Sequence, residues 1–166
     1  MAEINNSEIK LISSDNKEFM IDIKIVNSCM VIKNMLEDIE SEDKDLINIP
    51  NITGDILELL IQYLKYHFEN PILIPESEKE EKSLENIIPW DREFFSKFNM
   101  TTLLNVISAA NYLEIKPLLN LACKIVAIMI KGKTAEEVRT MFSIENDFTP
   151  EEEEQVRKEN EWNEEK

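Results

Sequence analysis

Glycine and histidine are nearly missing from this chain of 166 residues, which holds two glycines and one histidine. With only Gly54 and Gly132 to draw on, neither a G-x-G-x-x-G nor a G-x-x-x-x-G-K-[ST] phosphate loop can be written. His67 alone cannot form a multi-histidine metal site, and nothing resembles a serine or cysteine triad. Cysteine is also scarce: Cys29 and Cys123 have no ligand partners nearby, which suits small buried thiols in a reduced compartment. Proline adds only six residues, so forced turns are few and helix formers dominate. The chain lacks a long apolar run: Leu118 to Ile130 is broken by Asn120 and Lys124 and is too short to span a bilayer. Near Met1 no basic stretch precedes an apolar one, so no secretory signal is expected. These absences disfavour an enzyme, a metal site, a cofactor and a membrane partner.

Positive charge is the last scarcity. Thirty-four acidic residues face 18 basic ones, a net charge of -16, and such a surface repels a phosphate backbone, so no direct nucleic-acid partner is expected. The excess is unevenly spread. It concentrates in 37–45, in 76–93 and above all in 145–166, where ten carboxylates meet three basic residues. The rest of the chain is balanced, and its apolar content of 43% is close to the globular norm.

Read in order, the apolar periodicity gives a β-hairpin first: Ile4, Ile9, Leu11 and Ile12, the turn formers Ser13 to Asn16, then Glu18 to Ile21. A short helix is expected over Ser28 to Asp38, with Val31, Ile32, Met35 and Leu36 on one face, and a third strand over Leu46 to Pro50. Thr53 fits the N-cap of a helix whose Leu57, Leu60, Ile61, Leu64 and Phe68 make a buried stripe. Residues 70–86, rich in glutamate and holding Pro71 and Pro75, read as an exposed mobile insertion.

From Pro89 the signal is almost continuous helix. An aromatic segment (Trp90, Phe94, Phe95, Phe98) leads to a helix capped by Thr101 or Thr102. Pro117 opens the next helix, whose many apolar positions predict burial on most sides, and Gly132 stops it. Two capping boxes follow, Thr134 with Glu137 and Thr149 with Glu152. The last helix, through Glu151 to Trp162, is nearly all polar. Trp162 either folds back on the domain or awaits a partner.

Several blocks carry a resemblance: Ile88-Pro89-Trp90-Asp91-Arg92-Glu93-Phe94, Ala109-Ala110-Asn111-Tyr112-Leu113-Glu114-Ile115-Lys116, and Met129-Ile130-Lys131-Gly132-Lys133-Thr134. Upstream Ile32-Lys33-Asn34-Met35-Leu36-Glu37-Asp38, and in the tail Asn146-Asp147-Phe148-Thr149 and Gln155-Val156-Arg157-Lys158-Glu159-Asn160 with Trp162, complete it. In order and spacing they resemble the Skp1 family of ubiquitin-ligase adaptors, within the BTB/POZ superfamily. The resemblance implies an α+β fold with a small three-stranded sheet and packed helices over 1–131. It implies a C-terminal helical extension over 132–166.

Members of that family bridge a cullin and the F-box of a substrate receptor, so the resemblance implies both partners and a cytoplasmic and nuclear location. It assigns cullin contact to Asn111 and Tyr112, although tyrosine at a helix end is by itself more often packing. F-box contact falls on Leu103, Leu104, Leu119, Cys123, Val126 and Ile130, and in the extension on Phe142, Ile144 and Trp162. An apolar surface on that scale predicts partial disorder of the C-terminal helices or weak self-association in the free protein. A structural subunit of a cullin-independent F-box assembly is the alternative. Two positions depart from the family pattern: Ala135 replaces the proline that relatives in some protists hydroxylate and glycosylate, and Pro117 stands where glycine is frequent.

Overall fold

A computed structural model describes residues 8–26, 29–38, 46–71 and 87–164, the side chains as far as 159. Ile4, most of the acidic stretch 37–45 and nearly all of 70–86 lie outside the described residues. The chain divides into two compact units, Met1–Met129 and Ile130–Lys166.

The first unit opens with the expected hairpin, β1 (Glu8–Ile12) and β2 (Glu18–Asp22), paired antiparallel with Ile9 opposite Ile21 and Leu11 opposite Phe19. Alternation sends Ile9, Leu11 and Ile21 into the core. A four-residue helix, α1 (Ile23–Val26), follows directly and was too short to leave a period in the sequence. Next come α2 (Met30–Asp38) and β3 (Leu46–Asn48). β3 joins β1 in parallel, with Ile47 beside Leu11, giving the order β2-β1-β3.

Helices cover the inner face. α3 (Gly54–Glu69) buries Leu57, Leu60, Ile61 and Leu64 as its stripe predicts. Phe68 does not follow: it is 48% exposed, and toward the end of the helix the side chains that meet the next helix are Tyr63 and His67. Thr53 is the N-cap residue but makes no side-chain capping bond. That work falls to Asp15 of the hairpin turn, whose Oδ1 accepts from the Gly54 N–H at 2.6 Å.

α4 (Pro89–Ser96) carries its proline in the first turn, where the missing N–H costs nothing. Its aromatic residues form a continuous row. Trp90 stacks on Tyr66 of α3 at 3.8 Å and 4° between planes, Phe94 lies 4.9 Å from Trp90, and Phe98 meets Phe94 edge-on at 4.9 Å. α5 (Met100–Tyr112) is capped by Asn99, whose side chain accepts from the Thr102 N–H at 2.8 Å; neither Thr101 nor Thr102 is the cap. Asparagine is at least as good an N-cap, and it sits one residue ahead of the helix.

α6 (Lys116–Ile130) overturns one expectation. Only Leu118 and Ala122 along it are buried, so this apolar helix is not enclosed on most sides. It presses one narrow face on the core and leaves the rest of its apolar surface half-buried or open.

The second unit holds α7 (Ala135–Phe142) and α8 (Pro150–Glu164). Gly132, at φ +76°, supplies the left-handed residue that stops α6. Both capping boxes form. Thr134 accepts from the Glu137 N–H at 3.3 Å while Glu137 accepts from the Thr134 N–H at 2.8 Å. Thr149 and Glu152 repeat this at 3.3 and 2.9 Å. Those backbone N–H bonds hold the Glu137 and Glu152 carboxyls below the ordinary value. Within the unit, Arg139 of α7 donates to Glu153 of α8 at 3.0 Å and sits 5.8 Å from the Phe148 ring.

Candidate functional site

The candidate surfaces lie on α5, on α6 and in the second unit. α5 ends where two buried anchors, Leu113 and Ile115, take hold of the core. Leu113 N–H donates to the Ala109 carbonyl at 2.9 Å and Ile115 N–H to the Ala110 carbonyl at 2.8 Å. Glu114 between them adopts a left-handed conformation, φ 54°. This tight reversal leaves Asn111 exposed and Tyr112 half-buried. Tyr112 packs partly against the core and keeps part of its surface open.

Beside Tyr112 a cleft of about 270 Å³ opens between α5 and the segment leading into α3. Asn105, Ser108 and Tyr112, at helical spacing, form one wall, and Asn51, Thr53 and Ile56 face them. Sequence reasoning passed over this cleft. Its signal was present in α5 as the exposed polar pair Asn105 and Ser108 in line with Tyr112, but the opposite wall comes from a loop that no local pattern places there.

The second surface runs along α6. Leu119, Cys123, Val126 and Ile130 recur at intervals of four, three and four, a single stripe. Leu119 and Val126 are half-buried while Cys123 and Ile130 are exposed. The buried positions Leu118 and Ala122 lie on the neighbouring face and dock the helix. On α5 the adjacent leucines part company. Leu104 is 40% exposed, whereas Leu103 is 2% exposed within the core. Leu103, assigned to the F-box surface with Leu104, is buried in this structure beside Val106 and Ala110 on the inner face of α5, and only Leu104 presents exposed area.

In the second unit Phe142 is half-buried and Ile144 is 56% exposed. Ser143, at φ 53°, ends α7, and the Ile144 N–H returns to the Arg139 carbonyl at 2.8 Å, so the exposed side chain is carried on a closed turn rather than a loose one. The Trp162 side chain lies outside the described residues.

Among the described residues no group of three or more histidine, cysteine or carboxylate side chains could hold a metal ion, and no helix is long and apolar enough to cross a membrane. The buried thiol of Cys29 is pushed up to about 12 by loss of solvent, which leaves it a packing group without thiolate character.

Comparison with known proteins gives two family models and a set of full-length relatives. A model described as the Skp1 family tetramerisation domain matches residues 7–69, and one described as the Skp1 family dimerisation domain matches residues 116–163. The proteins named SCF ubiquitin ligase complex protein SKP1a and SKP1b, of Dictyostelium discoideum, are each 52% identical over 160 residues, covering 96% of this chain and 98% of theirs. Suppressor of kinetochore protein 1 of Schizosaccharomyces pombe is 46% identical over 159 residues, 94% of this chain and 97% of its own.

Proposed function

This chain belongs to the Skp1 family, and from that premise we propose that it is a non-catalytic adaptor joining F-box substrate receptors to a cullin in an SCF-type ubiquitin ligase. The observation that carries this reading is the uncovered apolar stripe of α6. Leu119, Cys123, Val126 and Ile130 keep surface that a self-sufficient monomer would bury, and an amphipathic helical partner would cover it. The family resemblance assigns F-box contact also to Leu103 and Leu104 in the first unit and to Phe142, Ile144 and Trp162 in the second. Asn111 and Tyr112 form the cullin surface, and the adjoining cleft, where Asn51, Thr53, Asn105 and Ser108 stand beside Ile52, Ile56 and Ala109, suits a side chain of that partner. Two faces on one chain are what a bridging subunit needs.

The test is a capture experiment with an F-box protein and a cullin, run on the native chain and on a double variant, Asn111→Lys and Tyr112→Lys. Loss of the cullin with the F-box protein retained is the expected result. If the native chain captures the F-box protein and no cullin, it serves a cullin-independent assembly instead. If it captures neither, the adaptor reading fails.

A further inference from the structure

The cations of α6 stand apart from those of the rest of the chain. No carboxylate occurs from 115 to 135, while Lys116, Lys124, Lys131 and Lys133 all fall there, a local charge of +4 in a chain of net charge -16. Elsewhere in the first unit Lys10, Lys17, Lys33 and Lys97 each hold a carboxylate. Among the described residues neither Lys116 nor Lys124 lies within ion-pairing distance of one, and in the first unit Lys24 on α1 and Lys65 on α3 share that state. Both α6 lysines border the apolar stripe on the side away from Leu118 and Ala122. At about 100° per residue, Lys116 lies about 20° beyond Cys123 and Lys124 about 100° beyond it, with the exposed Asn120 between them. The two lysines are about 12 Å apart along the helix axis, Lys116 exposed and Lys124 half-buried.

We infer that Lys116 and Lys124 form a cationic rim beside the apolar stripe of α6, and that this rim selects a receptor helix whose apolar face is bordered by carboxylates. The inference rests on the adaptor reading and adds to it the charge of the segment that docks. An apolar stripe alone accepts any amphipathic helix. A cationic edge requires acid on the matching edge of the partner, which fixes its orientation, and it repels a partner carrying lysine or arginine there. The acidic excess of the rest of the chain turns an acidic partner away from other faces, so encounter is directed to α6. Because the rim faces water, its pairs act on the rate of association and on selectivity more than on final affinity. A second copy of this chain fits the surface poorly: symmetric antiparallel pairing through α6 would set one cationic edge against the other.

The test is stopped-flow association of the full chain with an F-box protein that carries carboxylates beside the apolar face of its docking helix. Two doubly substituted chains of equal net charge are compared with the native one: Lys116→Glu with Lys124→Glu, and Lys24→Glu with Lys65→Glu. At about 50 mM salt the first pair should slow association about tenfold, and the second should stay close to the native rate. At about 500 mM salt the three rates should converge, since screening removes steering. Lys116→Gln with Lys124→Gln should give an intermediate rate, and it keeps the test open if the reversed pair does not fold.

Native-like rates for the glutamine pair, or equal slowing by the two glutamate pairs, overturn the rim while leaving the adaptor reading intact. Changing the partner's bordering carboxylates to glutamine should slow the native chain to a similar extent, and an unchanged rate would likewise overturn the rim. Salt-sensitive self-association of the native chain that the α6 pair abolishes would make a second copy the occupant and overturn the proposal. A native chain that binds no F-box protein at either salt concentration removes the adaptor reading, and the rim falls with it.

Discussion

Asp15, in the turn of the hairpin, accepts a 2.6 Å hydrogen bond from the backbone N–H of Gly54, 39 residues away, and so caps the first turn of α3 from another element. Ser13 donates to the same carboxylate at 2.6 Å, and Lys17 bridges it to Asp55 on α3. The turn is therefore the fastening between sheet and helix as well as the connection between two strands.

The Ser13 hydroxyl, followed by the Gly54 N–H, holds the Asp15 carboxyl below 3.8. A depressed carboxyl contributes stability above its unfolded value and loses it as pH falls through the folded one. Asp15→Asn is expected to lower the melting temperature at pH 7 and to flatten its decline below about pH 4, where the native chain loses this contribution. Parallel melting curves across that range would show that Asp15 does not carry the fastening.

The two leucines of α5 should separate stability from binding. Leu103→Ala removes a core side chain that is 2% exposed and should cost about 2–5 kcal/mol in chemical unfolding. Leu104→Asp should leave unfolding almost unchanged and weaken F-box binding about tenfold or more, the scale of a lost apolar contact at an interface centre. The reverse pattern would put the partner surface on another face of the helix.

Much of this fold was legible because its signals are local. The hairpin alternation, the stripe of α3, the proline that opens α4 and both capping boxes each lie within a few residues. What escaped depends on neighbours distant in sequence. The cap of α3 comes from Asp15, and the outer wall of the Tyr112 cleft comes from the loop ahead of α3. The apolar density of α6 was visible, yet density records how much surface avoids water and not whether this chain or a partner covers it. Leu103 and Leu104 show the same limit at single-residue scale, since two adjacent leucines differ only by 100° of helix rotation.

Trp162→Ala is expected to weaken F-box binding at least about tenfold, the loss associated with a buried aromatic anchor. Titration of an F-box protein by calorimetry measures it. An unchanged affinity would remove Trp162 from the interface.

The capping boxes make a further prediction. Thr134→Ala deletes the acceptor of the Glu137 N–H, and Thr149→Ala that of the Glu152 N–H; each should cost its helix about 1 kcal/mol. Amide exchange should rise in the first turn of α7 for one variant and of α8 for the other, with the first unit unaffected. Uniform exchange across both variants would mean that the helices are held by something other than their caps.

β1 has its hairpin partner close behind it in the chain, but its parallel partner β3 arrives only after roughly thirty further residues. A hairpin closes in about 1–10 μs, whereas a parallel neighbour must first overcome the entropy of a much longer loop. The order of events in refolding is thereby written into the sheet: β1 and β2 can meet early, and the third strand completes the sheet as its crossover settles. During synthesis the same delay leaves the Leu11 edge of the nascent hairpin without its strand partner until Ile47 has emerged.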